Sequence, residues 1–283
     1  MPLAPTLHRT IARKTAGHRH GPITRLMSPG DLGQAAKPFV FLDLFDLPGA
    51  AAAKMALHPH SGIATVTYLM AGSVGYEDTD GKTGILAAGG VEWMQAGGGT
   101  WHGGAPGGEG RARGFQLWLA LPPELESGPA ESIYLAPADV PAKGPVTVLL
   151  GTYGAVSSKI LPPSPLAYLA VRLAAGERWQ FTPPPGHTVC WVAVASGTLL
   201  ADEPIRAGEM ALFEPSDRPV EFEAQADSVF VLGAAVPHEH DLVLGDYSVH
   251  TSPAALRRGE ARIEELAVRR QARTGMRAAA RSS

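Results

Sequence analysis

The sequence predicts an all-β protein built from two similar barrels in tandem and finished by a C-terminal helix. Three observations carry that expectation. The 33 glycines and 25 prolines are spread along the 283 residues, which is the punctuation of many short strands joined by tight turns. Short apolar, β-branched runs recur with turn residues between them, and no helical pattern interrupts them until the last thirty or so residues. Two features of the first half return in the second. An apolar run ending in a glycine turn, Thr65 to Gly72, is matched by Val189 to Gly197, and Ala88-Gly89-Gly90 is matched by Ala207-Gly208-Glu209.

Residues 1–20 read as an irregular basic segment, with Arg9, Arg13, Lys14 and Arg19 and no apolar run of signal-peptide length. His18-Arg19-His20 lies between Gly17 and Gly21 and reads as a loop, not a ligand pair. Pro38 to Asp46 is the first strong strand signal. Strands follow near 63–70, 73–77, 84–87, 91–95 and 114–121, and Asp80-Gly81 marks a hairpin between two of them. Pro122-Pro123 opens a change of composition that lasts to Gly144. The expected division is therefore a first barrel over 1–140 and a second, with the C-terminal helix and tail, over 141–283. The second series of strands falls near 146–151, 168–174, 188–194, 197–201, 209–213, 219–224 and 228–235. Thr251-Ser252-Pro253 then caps a helix expected over Ala254 to Arg270, whose stripe of Leu256, Ile263, Leu266 and Ala267 would dock on a barrel. Arg269 to Ser283 reads as a frayed tail.

An apolar fraction of 45% supports a substantial core, and a net charge of −3 argues against a nucleic-acid binder. The single cysteine, Cys190, sits in a strand-like apolar run, so an internal disulfide and a thiolate metal cluster are both excluded. No segment has the length and apolarity of a membrane span, and the expected location is cytoplasmic.

The chemistry concentrates between His58 and His102. His58-Pro59-His60 places two imidazoles at i and i+2 of an extended segment, hence on one face. His102, closing Gly97-Gly98-Gly99-Thr100-Trp101-His102, can add a third corner from a distant hairpin of the same barrel. In the second half His187 stands alone, and His238-Glu239-His240 lies in a polar stretch after Pro237, without strand context.

His58-Pro59-His60-Ser61-Gly62 with Thr65-Val66-Thr67-Tyr68, Val91-Glu92-Trp93-Met94-Gln95-Ala96-Gly97 leading to His102, Gln116 to Pro122, Pro38 to Asp43 and Gly245 to Thr251 resemble the pirins, the bicupin branch of the cupin superfamily. The resemblance implies two tandem jelly-roll cupin barrels, with one metal in the first, usually iron, held by three His and one Glu. His58, His60 and His102 match the three His ligands. Gly104 stands where the family has its carboxylate, Ala64 where it has a Glu, and Ser61 where it has an Arg. Three neutral imidazoles with an open position remain a legitimate site. The family points to Fe(II), while imidazole suits Ni, Cu and Zn as well. Glu109, in the glycine-rich loop 103–110, is the neighbouring carboxylate, although its spacing matches no ligand pattern.

The implied activity is quercetin 2,3-dioxygenase chemistry. A flavonol bound as its 3-oxyanion reacts with dioxygen and loses carbon monoxide, and Trp93, Met94 and Trp101 are weighed as pocket lining against core packing, the favoured role for each. The alternative is a non-catalytic regulatory or redox-sensing protein that binds a protein partner, as the family implies with iron as a redox-sensitive element, but with the metal site here weakened or absent.

Overall fold

The computed structural model describes residues 9–48, 57–78, 81–105 and 110–281. The first half comprises β1 (Ile11–Thr15), β2 (His18–His20), β3 (Ile23–Met27), a single-turn helix α1 (Leu32–Ala36), β4 (Phe39–Leu47), β5 (His58–His60), β6 (Ile63–Ala71), β7 (Ser73–Asp78), β8 (Thr83–Ala87), β9 (Val91–Gln95), β10 (Thr100–Ala105), β11 (Ala112–Ala120) and β12 (Glu131–Leu135). A seven-stranded antiparallel sheet in the order β12-β9-β6-β11-β4-β3-β2 faces a four-stranded sheet in the order β5-β10-β7-β8. Together they make the first cupin barrel.

The second half repeats the plan. Its large sheet runs Ile11–Thr15, Met210–Phe213, Val189–Ser196, Ser228–Ala235, Leu166–Leu173, Val146–Leu150, Ala142–Lys143, and a small sheet of four strands covers it. Taken strand for strand, this is the order of the first sheet. The strand Val189–Ser196 takes the place of β6, and Ser228–Ala235 that of β11. The glycine turns agree in detail. Gly72 and Gly197 both have left-handed φ, at 72° and 82°. A Cβ at either would strike the backbone oxygen just before the next central strand, Arg111 O at 2.3 Å or Asp227 O at 2.5 Å. Only glycine tolerates that combination of φ and close approach.

The edge position that β12 holds in the first sheet is taken in the second by β1, the N-terminal arm, which pairs with Met210–Phe213. Arg9 anchors that arm. It is buried, and its guanidinium donates to the carbonyls of His187 (2.8 Å), Thr188 (3.1 Å) and Arg218 (2.9 Å). The C-terminus crosses in the opposite direction. Tyr247 to Thr251 lies against β5 of the first barrel, and the helix α2 (Pro253–Arg281) packs on β10.

The outer faces of the two large sheets form one shared core. Val66, Tyr68, Phe115 and Leu117 are buried there with Tyr168, Trp191, Met210 and Leu212. Burying this many large apolar side chains, at about 1.5–3 kcal/mol each, holds the barrels together. The interior of the second barrel is a separate core, filled by Trp179, Phe181, Phe213, Phe222 and Phe230.

The strand expectations for both halves are met to within two or three residues. Two expectations at the termini are corrected. Residues 11–15 and 18–20 are strands, not irregular chain, because their backbone groups find partners in sheets that the local sequence does not announce. The C-terminal helix continues to Arg281 instead of fraying after Arg270, as a run rich in Ala and Arg permits on propensity alone. Of the expected Asp80-Gly81 turn, Gly81 has φ of 86° between β7 and β8, while Asp80 lies outside the described residues. Among the described residues, no helix is long and apolar enough to cross a membrane.

Candidate metal centre

The three histidines converge because β5 and β10 are hydrogen-bonded neighbours. In their antiparallel register His102 faces His58 directly and Thr100 faces His60. The i, i+2 spacing of His58 and His60 then puts all three rings on the inner face. Ring centroids are 4.7 Å apart for His58 and His102, 4.9 Å for His58 and His60, and 5.2 Å for His60 and His102. Each offers a ring nitrogen, and these atoms lie within 4.8 Å of one another.

Their tautomers follow from fixed acceptors. The Nδ1 of His60 donates to the backbone carbonyl of Tyr247 at 2.9 Å, which leaves Nε2 as the nitrogen with a lone pair to offer a metal. The Nδ1 of His102 faces Glu92 Oε1 at 3.4 Å. Nε2 of His102 is buried and has no hydrogen-bond partner. An orphaned imidazole nitrogen inside a barrel is unfavourable unless something fills its lone pair, so this donor set fits a transition-metal ion. Burial, with His102 and His58 beside it, pushes the His60 imidazole well below its ordinary range, toward the neutral form that a metal requires.

The histidines sit at one end of a cavity of about 300 Å³. Phe41, Phe45, Leu47, Tyr76 and Trp118 form its apolar walls. Trp118 stacks on Phe41 at 4.1 Å and meets the His60 ring edge-on at 4.8 Å. Gly104 lies on the wall beside the histidines, opposite Tyr76 in the β10–β7 register.

A row of polar residues that sequence reasoning missed lines the floor. Cross-strand pairing sets Glu92 opposite Thr67, Thr67 opposite Gln116, Gln116 opposite Asp43 and Asp43 opposite Arg25. Thr67 Oγ1 donates to Glu92 Oε2 at 2.7 Å and lies 2.9 Å from the Gln116 amide. Arg25 grips Asp43 with Nε and Nη2 at 2.8 and 3.0 Å. Burial drives the Glu92 carboxyl up, but His102 and the Thr67 hydroxyl outweigh it and hold the group below its ordinary value. The clearest signal in the sequence is a polar residue between apolar neighbours, as Asp43 is in Phe41-Leu42-Asp43-Leu44-Phe45.

Trp93, Met94 and Trp101 do not line this cavity. Trp93 and Met94 are buried in the sheet. Trp101 lies under α2, where Nε1 donates to Ile263 O at 3.2 Å and Arg270 stands 5.3 Å from the ring centre. Glu109 lies outside the described residues. His18 and His20 are exposed on β2. His238 and His240, with rings 5.3 Å apart, belong to no larger metal-competent cluster among the described residues.

The family model described as Pirin matches residues 22–119, the span that contains the three histidines and the polar row. A Pseudomonas aeruginosa protein provisionally named a quercetin 2,3-dioxygenase is 33% identical over 238 residues, covering 78% of this chain and 83% of that protein. Human pirin is 34% identical over 161 residues, 53% of each chain. Among solved structures, a quercetin 2,3-dioxygenase from Acinetobacter baumannii superposes with a TM-score of 0.81 at 23% identity, covering 88% of this chain and 94% of that one. The Escherichia coli pirin YhhW, solved in complex with nickel(II), gives 0.61 at 18% identity over 78% and 95%. Both likenesses bear on the fold, which is that of two tandem cupin barrels. The length and identity of the Pseudomonas match, with the Pirin model lying over the histidine-bearing barrel, place this chain in the pirin family.

Proposed function

We propose that this pirin is a metal-dependent oxygenase for a planar, flavonol-like aromatic, with His58, His60 and His102 as the metal ligands. The observation that carries the reading is three converging imidazoles, one with an orphaned buried nitrogen, at the end of an aromatic cavity of about 300 Å³. That volume is at the lower end of the range for small-molecule sites. We infer Fe(II) as the ion in the cell, with Ni, Cu or Zn accepted by the same nitrogens. We also place the division between the barrels near residue 140, with the terminal arms exchanged.

A divalent ion bound to the three imidazoles supplies a Lewis acid that favours the anionic form of a coordinated hydroxyl. The protein supplies the rest. The Tyr247 carbonyl and the Glu92 carboxylate hold the Nδ1–H groups of His60 and His102, so that both rings present Nε2. Phe41 and Trp118 offer a flat wall for an aromatic ring and exclude water from its face. Gly104 contributes no side chain, which leaves that flank of the site open to a hydroxylated ring.

The test is metal content by mass spectrometry on protein purified without a metal-affinity tag, beside His102→Ala, followed by oxygen uptake with quercetin. About one equivalent in the wild type, lost in the variant, together with flavonol-dependent oxygen uptake, supports the reading. A protein that cannot be loaded with iron, nickel, copper or zinc sinks it. The second reading, a non-catalytic regulator that binds a protein partner, is favoured by one observation, the absence of a carboxylate at position 104. It requires no turnover, whether or not the protein takes up a metal.

A further inference from the structure

The two barrels provide an internal comparison, because one register runs through both. In the first, the transverse row across five strands is Glu92, Thr67, Gln116, Asp43, Arg25. In the second, the residues at the same crossings are Ala211, Val192, Leu232, Leu169 and Val148. All five of these are buried and apolar. The fold is therefore built equally well with an apolar row. Every polar group in the first row carries a desolvation cost that the architecture does not demand.

One end of that row meets the histidines. Glu92 is buried, its Oε2 is held by Thr67, and its Oε1 turns to His102 Nδ1. A carboxylate on the non-coordinating nitrogen of a metal-bound histidine fixes the ring and its tautomer, and makes the other nitrogen a better donor. It also brings a negative charge into a site whose three ligands are neutral. Position 104, on the adjacent wall, has no side chain to do so.

We infer that Glu92 is the carboxylate of this metal centre, a positioning residue that acts through His102 from β9 and offsets the glycine at position 104. Thr67 presents it, and Gln116 supports Thr67 from the far side. The inference rests on the reading of the three histidines as metal ligands.

Ni(II) affinity, measured by competition with a chelator, tests it on wild type, Glu92→Gln, Glu92→Ala and the double variant Glu92→Gln/Gly104→Glu. Glu92→Gln keeps the shape and an acceptor oxygen but removes the charge, so affinity should fall by about tenfold. Glu92→Ala removes both and should lose about 10–100-fold, the range for outer partners of metal-bound histidines. Restoring a carboxylate at position 104 should recover affinity in the Glu92→Gln background, because either position can bring the negative charge that the three imidazoles lack. The metal-free melting midpoint of Glu92→Gln should stay near that of wild type, so that a loss of affinity is not a loss of fold. A wild type that loads Ni(II) while Glu92→Gln and Glu92→Ala load equally well overturns this inference alone. A wild type that takes up no Ni(II) overturns it together with the ligand assignment.

Discussion

Tyr247 and His60 are 187 residues apart in sequence, yet the backbone carbonyl of one accepts a hydrogen bond from the imidazole of the other at 2.9 Å. The contact joins the end of the chain to the candidate metal centre. It is made by a main-chain group, so the identity of the side chain at 247 does not encode it. What holds that carbonyl in place is a buried cluster that begins at the next residue, Ser248, and runs to Thr251. Ser61 shares hydrogen bonds with Ser248 (2.8 Å) and with Nε2 of His250 (2.9 Å). His250 Nδ1 faces Glu126 Oε2 at 3.2 Å, and Thr251 donates to the same carboxylate from its amide and its hydroxyl.

Replacing His250 by Ala should loosen this cluster and remove one of the three hydrogen bonds to the buried Glu126 carboxylate, leaving those from Thr251. Loss of one hydrogen bond to a buried charged group costs about 1–3 kcal/mol. Urea denaturation should record a loss of that size, and metal content should fall although no ligand has been touched. Full metal occupancy in a destabilised variant would separate the two roles and refute the coupling.

Gly62 separates the His58-Pro59-His60 strand from β6 with φ of 73°, and a Cβ there would sit 2.1 Å from Val249 O and 2.8 Å from the His250 ring. Gly62→Ala therefore combines left-handed strain of about 1–3 kcal/mol with a clash against backbone that has no room to retreat. Equilibrium unfolding should show a loss at or above the upper end of that range. A loss below about 1 kcal/mol would mean that the C-terminal segment moves away freely.

Trp118 touches both His60 and Phe41. Trp118→Leu should leave the metal stoichiometry unchanged while raising the flavonol KM by about tenfold, since it removes a stacking wall and no ligand. Steady-state oxygen uptake at several quercetin concentrations reads this directly. An unchanged KM would place the aromatic ring elsewhere in the cavity.

Burial pushes the Cys190 thiol up to about 12, with Arg9 pulling weakly the other way. The native protein should resist Ellman's reagent at pH 8 and release one thiol on denaturation. Because the folded value lies above that of a free thiol, about 8.5, the unfolded chain loses this proton first. The contribution of Cys190 to stability is thus intact below about pH 8.5 and declines as pH rises toward 12. Cys190→Ala should remove that part of the alkaline slope.

Much of this was legible in the chain. Strands such as Ile63–Ala71 and Val189–Ser196 announce themselves because their apolar, β-branched runs end at a glycine that must turn. The histidines were legible because the i, i+2 spacing and extended backbone fix a shared face, and the resemblance supplied the third. Glu92 was not, since its meaning depends on the register that sets it beside Thr67 and on the facing sheet, whose strand β10 carries His102. The arms were also hidden. Arg13 and Lys14 look like solvated chain, and nothing near them in sequence says that Met210–Phe213 is waiting to pair.

The exchange of arms has a consequence for how the protein is made. All three histidines leave the ribosome early, but the carbonyl that orients His60 belongs to residue 247. During synthesis the first barrel therefore exists for a time with its histidines present and one of them unaligned. A metal ion captured then would meet a looser set of nitrogens than the finished protein offers. Loading of the correct ion should accordingly be favoured after the chain is released, and the segment around Tyr247 acts as the final step of assembly for a site whose three histidines all lie far upstream of it.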